Sequence, residues 1–165
     1  MPIQDVFSHV EWTVLTELPI RVVASSMSVD PVDGMGALLE EVTGITQLSQ
    51  GAASRLDSLL VQEIFEFFIA DEGSGLLKLP PSQREVAQLV PETIALARDV
   101  ALLLTERVEQ RELDSYRAWL LETAEAVCIA AKSGRTILGV GGTRLTESES
   151  GFLEKLRDSF AAGGF

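Results

Sequence analysis

Apolar side chains recur at helical spacing through most of this chain, and that constrains the fold more than any other feature. Tyr116, Leu120, Ala124, Val127 and Ala131 fall on one face of a 3.6-residue spiral within residues 113–131. Ile94, Ala97, Ala101, Leu104 and Val108 repeat at alternating three- and four-residue steps. Phe152, Leu153, Leu156 and Phe160 do the same near the C-terminus. Period-two alternation, the mark of a half-buried strand, is confined to "RTILGV", which is too short to build a sheet. The fold class is therefore all-α: a single-domain bundle of about six to eight helices with short connections, spanning residues 1–165. A chain of this length buries roughly 70% of the surface its unfolded form exposes, enough for a core without disulfide or metal.

Local signals place the helix ends. Ser8 with Glu11, Ser82 with Glu85 and Thr146 with Glu149 each fit the S/T-x-x-E capping box. The first opens a helix through Val14, Leu15 and Leu18, which Pro19 bends or restarts before Ile20, Val23 and Met27. "DPVDGMG" is a turn, and the helix after it is expected to turn Leu38, Leu39 and Val42 inward, with Gly44 or Gly51 punctuating it. The most apolar helix is expected over residues 53–70. Its stripe is Leu56, Leu59, Leu60, Ile64, Phe67 and Phe68, with Phe65 and Ile69 adding apolar surface beside it. A helix apolar nearly all round is either central in a bundle or covered by a partner, so Phe65 and Ile69 are candidate interface residues. "DEGSGLLKLPPS" is a loop, Pro91 marks a kink or a new helix start, and "ERVEQRELD" contains a short break.

Charge excludes several classes of partner. The chain has 25 acidic and 13 basic residues, a formal charge of −12. Duplex nucleic acid and anionic lipid both demand a basic face, so neither is expected as a partner. No stretch has the length of uninterrupted apolar sequence needed to span a membrane, and the N-terminus lacks the pattern of an export signal. With the single cysteine, Cys128, this points to a cytoplasmic protein.

The exception to the acidic balance is "KSGRTILGVGGTRLTESESGFLEKL", residues 132–156. A Walker-type phosphate loop would need Lys and Ser/Thr where Val140 and Gly141 stand. A dinucleotide fingerprint would need a preceding strand and a glycine where Arg144 stands. The glycines suit a helix stop and a tight reversal better, with Lys132 and Arg135 complementing the dipole of the preceding helix. Lys132, Arg135 and Arg144 beside a helix start remain a candidate anion site.

Asp30, Asp33, Glu40 and Glu41 are the candidate metal ligands, offering oxygens to a hard cation such as Ca²⁺ or Mg²⁺. They do not form an EF-hand. With Gly34 at loop position 6, Val29 and Pro31 take positions that need carboxylates. Glu63 and Glu66 lack the histidines of a di-iron site. His9 reads as a first-turn surface residue and Cys128 as a small buried hydrophobe, so no nucleophile–base pair is expected.

The segment "AEAVCIAAKSGRTILGVGGTRLTESESGFLEKL" resembles the C-terminal part of small bacterial helical proteins related to the tellurite-resistance TerB-like group. In these a long helix, a glycine-rich link and a Ser/Thr-x-x-Glu cap follow one another. Trp12, Leu15 and Pro19 are similar to the opening helix of that group, and "VDPVDGMGALLEE" to its acidic turn. The resemblance implies a cytoplasmic helical module, metal-binding in stress-response relatives. TerB-like metal sites draw acids from a second turn as well. The counterpart here is the glycine loop, which carries Glu147 and Glu149 but is otherwise basic.

Three functions are compatible with these readings. The first is a non-enzymatic interaction or assembly module, meeting a protein partner or its own copies and using no cofactor. The second is a divalent-metal-binding stress protein using Asp30, Asp33, Glu40 and Glu41. The third binds a small anion or nucleotide through Lys132, Arg135 and Arg144.

Overall fold

In a computed structural model the chain is described over residues 2–30, 35–70, 83–133 and 145–161. The described residues form a short 3-10 turn, Ile3–Val6, and six α-helices: α1 His9–Val29, α2 Met35–Ala53, α3 Leu59–Ala70, α4 Gln83–Arg107, α5 Gln110–Ser133 and α6 Glu147–Ala161. Among them there is no strand, and the bundle is all-α. No helix among them is long and apolar enough to cross a membrane.

Two of the capping boxes form. At α1 the Glu11 N–H donates to Ser8 Oγ (3.2 Å) and the Ser8 N–H donates back to the Glu11 carboxylate (2.7 Å). That backbone hydrogen bond, helped by Arg107, holds the Glu11 carboxyl below the usual carboxylate range. At α6 the Thr146 N–H donates to Glu149 Oε2 (3.0 Å) and the Glu149 N–H to Thr146 Oγ1 (3.2 Å). The third box, at Ser82, lies outside the described residues.

Helix α5 is central and packs against each of the other five helices. Tyr116, Trp119, Leu120, Ala124 and Val127 are all fully buried on it. The more apolar α3 is peripheral, begins at Leu59 rather than at residue 53, and leaves Leu56 and Leu59 before and at its start exposed. Its buried stripe is Leu60, Val61, Ile64 and Phe68, while Phe67 faces solvent. Central position follows from the number of sides a helix must bury, and α5 pairs large aromatics with Ala124, which lets neighbours approach.

Helix α1 runs unbroken through Pro19, and α4 through Pro91. A proline inside a helix has no N–H for the carbonyl four residues earlier, which at Pro19 is that of Leu15. The hydroxyl of Tyr116, buried on α5, donates to that carbonyl at 2.9 Å. The proline is accommodated because another helix supplies the missing donor. Burial also pushes the Tyr116 hydroxyl pKa well above its ordinary value, so it remains a donor. Tyr116→Phe is expected to destabilise by about 1–3 kcal/mol, the cost of a buried carbonyl left without a partner. Urea unfolding measures this directly. In a Pro19→Ala background, where residue 19 again has an N–H, the same substitution should cost less.

The largest departure from the sequence expectation is the orientation of α2. Leu38, Leu39 and Val42 do not face the core; they are 51%, 37% and 52% exposed, and Ile45 is 43% exposed. The inward stripe is Glu40, Gly44, Leu48, Gly51 and Ala52. Neither glycine ends the helix. A Cβ on Gly44 would lie 2.5 Å from Val23 Cγ1, and one on Gly51 would lie 2.5 Å from Trp119 Cδ1. At these two positions side chains of α1 and α5 press directly on the α2 backbone.

Candidate functional site

The acidic residues nominated as metal ligands are dispersed by the helices that carry them. Asp30 is the half-buried residue closing α1. Glu40 is buried on the inward side of α2, whereas Glu41, one step along, is half-buried. Consecutive helical residues point about 100° apart, so the two carboxylates do not converge through local geometry. Asp33 lies outside the described residues. Among the described residues no group of three or more His, Cys, Asp or Glu is arranged to hold a metal ion.

Lys132 is within α5, but its side chain, like Arg135 and Arg144, is outside the described set. His9 is exposed at the first residue of α1, and Cys128 is buried on α5. Glu63 has a structural task. Its Oε1 accepts from the Ile3 N–H (2.8 Å) and its Oε2 from the Gln4 N–H (2.9 Å), tying the N-terminal turn to α3. Phe65 is half-buried and packs on the core, while Ile69 is 61% exposed.

A cleft of about 470 Å³ opens where the end of α1, the first half of α4 and the first turns of α6 meet. Val29, Val90 and Phe152 form its apolar side, and Glu147 and Lys155 are at its exposed rim. Gly151 lines it, and a Cβ there would meet nothing within 4 Å. Among the described residues its lining holds one acid and one base, Glu147 and Lys155, and these by themselves select no particular ligand chemistry.

The outward face of α2 is different in kind. From residue 38 to residue 50 its exposed positions are Leu38, Leu39, Val42, Ile45, Thr46, Ser49 and Gln50. No charged side chain is among them, in a chain whose net charge is −12. Leu38, Val42 and Ile45 follow one another at steps of four and three and make a ridge along the helix. Single exposed apolar residues are ordinary on protein surfaces, but contiguous ones mark contact sites. Apolar pattern alone could not locate this face, because α2 has apolar residues on both sides. The readable signal was the opposite stripe, where Gly44, Gly51 and Ala52 are small enough to let another helix approach.

No family model, curated protein or solved structure matches the chain.

Proposed function

We propose that this chain is a non-enzymatic helical interaction module whose contact surface is the outward face of α2. The observation that carries this reading is the uncharged ridge of Leu38, Val42 and Ile45, flanked by Leu39, on the solvent side of an acidic protein. Exposed aliphatic surface gains when it is removed from water, by about 25 cal/mol per Å² of apolar area. A helix face of this kind is matched by an apolar helix or groove on another protein, with the half-buried Glu41, one turn from both Leu38 and Ile45, at the edge of the contact. The layout resemblance to TerB-like helical modules supports the same general role. The metal and anion alternatives each depend in part on residues outside the described set, and no described contact favours them.

The test places a photoreactive side chain at position 42 in the full-length protein expressed in cells, with position 102 as control. Leu102 is similarly exposed, but on α4. Irradiation is expected to give a discrete protein adduct from position 42 and none from position 102. Absence of an adduct at 42, or equal labelling at both positions, would overturn the reading.

A further inference from the structure

We propose that residues 2–7 form a latch, held against α3 and the end of α4, which opens as one unit about Phe7 and Ser8 and uncovers the ring of Trp12. The latch uses no residue of the α2 face.

The turn can lift without disturbing the helices. Its own backbone hydrogen bonds close within it, the Asp5 N–H donating to the Pro2 carbonyl and the Phe7 N–H to the Gln4 carbonyl, each at 3.1 Å. Helix α1 is capped without it, because Ser8 and Glu11 form their box on the helix side of the hinge. The hinge backbone is extended at both Phe7 and Ser8, a conformation open to any residue.

Two charged side chains fasten the turn, one at each end. At its start the Glu63 carboxylate, on α3, accepts from the Ile3 N–H (2.8 Å) and the Gln4 N–H (2.9 Å). At its other end Arg107, the last residue of α4, donates to the Val6 carbonyl (3.2 Å) and to the Glu11 carboxylate (3.0 Å). Both catches touch water, since Glu63 is half-buried and the Arg107 side chain is 43% exposed. When the turn lifts, each charge is hydrated where it stands, and Arg107 keeps its ion pair with Glu11. Neither is stranded as a buried charge, the event that makes breaking an interior ion contact so unfavourable.

The covered surface completes the device. Ile3 and Val6 are half-buried on the core, and Phe7 is buried against Trp12 with ring centroids 6.1 Å apart. Trp12 Nε1 is, among the described residues, the one buried side-chain nitrogen or oxygen with no hydrogen-bond partner. An indole N–H buried in this way has given up hydration without a replacement. Opening takes Phe7 off the Trp12 ring and lets water reach the indole, so the apolar burial lost is offset in part. It also returns conformational freedom to six ordered residues. Closed and open forms therefore lie near one another in free energy, the closed one hiding Trp12 and the open one presenting it.

Hydrogen exchange followed by NMR on the whole chain tests this, read at the Ile3 amide and the Trp12 indole N–H. In the wild type the two are expected to exchange through one opening, insensitive to low urea and at least about 100-fold less protected than the Leu120 and Ala124 amides of α5. Each catch is then removed and the opposite end read. Glu63→Ala is expected to speed exchange of the Trp12 indole by about tenfold, and Arg107→Ala that of the Ile3 amide by about tenfold, as for loss of a hydrogen bond to a charged group. Helical circular dichroism should be unchanged in both. A Trp12 indole that exchanges as slowly as the α5 amides, with the same urea dependence, overturns the latch. So does a substitution that alters exchange only at its own end.

Discussion

Replacing Glu112 by alanine is expected to destabilise the protein by about 3–5 kcal/mol, although Glu112 belongs to one helix and stabilises the start of another. The carboxylate is buried in the first turn of α5. Its Oε2 accepts from Ser58 Oγ (2.6 Å) and from the Leu60 N–H (3.1 Å), and its Oε1 accepts from the Leu59 N–H (3.2 Å). Leu59 and Leu60 open α3, where N–H groups have no partner within their own helix. Ser58 Oγ accepts from the Val61 N–H (3.3 Å), and the Ser58 carbonyl accepts from the Gln62 N–H (3.1 Å). The whole N-terminus of α3 is thus satisfied, two of its donors by a residue more than fifty positions away. Alanine would leave the buried Ser58 hydroxyl and Leu60 N–H, and the part-buried Leu59 N–H, without this partner, at about 1–3 kcal/mol for each buried group before relaxation. Guanidinium unfolding should show the loss, with a melting temperature lower by about 10 °C. Glu112→Gln keeps the shape and one acceptor oxygen and is expected to lose about half as much. If Glu112→Ala unfolded within about 0.5 kcal/mol of wild type, the capping account would be wrong.

Trp119→Ala is expected to cost about 3–5 kcal/mol, the usual penalty for truncating a buried indole. Three contacts are lost together. The Nε1–H donates to the Leu48 carbonyl at 3.0 Å, joining α5 to α2. The ring meets Tyr116 edge-on, with centroids 6.2 Å apart. It also occupies the space over Gly51 that a Cβ would enter. The last contact provides a specific check. Gly51→Ala should destabilise the wild type, because the methyl group overlaps the indole, yet be neutral or stabilising once residue 119 is alanine. A double-mutant cycle by denaturant unfolding measures that reversal. Equal effects of Gly51→Ala in both backgrounds would mean that the close approach of α2 to α5 does not depend on this pair.

These residues also show where sequence reasoning succeeds. Helix class, the capped starts of α1 and α6 and the inner faces of α4, α5 and α6 were all legible. In each case the signal is local: a side chain reaching a backbone N–H three residues away, or apolar residues recurring on one stripe of a mainly polar helix. The break between α4 and α5 was legible for the same reason, as a polar stretch between two periodic ones.

Glu112 gave no such signal, because its partners at Ser58, Leu59 and Leu60 become neighbours only when α3 packs against α5. The same holds for Tyr116 and the carbonyl that Pro19 leaves without a donor. The candidate site failed to emerge for a related reason. A stripe of large aliphatics on α2 looks like a core face when read alone, and Gly44 and Gly51 look like stops. Close packing reverses both readings, since the helix goes down on the side where its neighbours can approach its backbone. The sequence by itself determined that the chain is helical, where several helices begin, and which faces of the later helices turn inward. The tertiary structure decided that α5 is central and that Leu38, Val42 and Ile45 are left on the outside, because those outcomes depend on fit between helices distant in the chain.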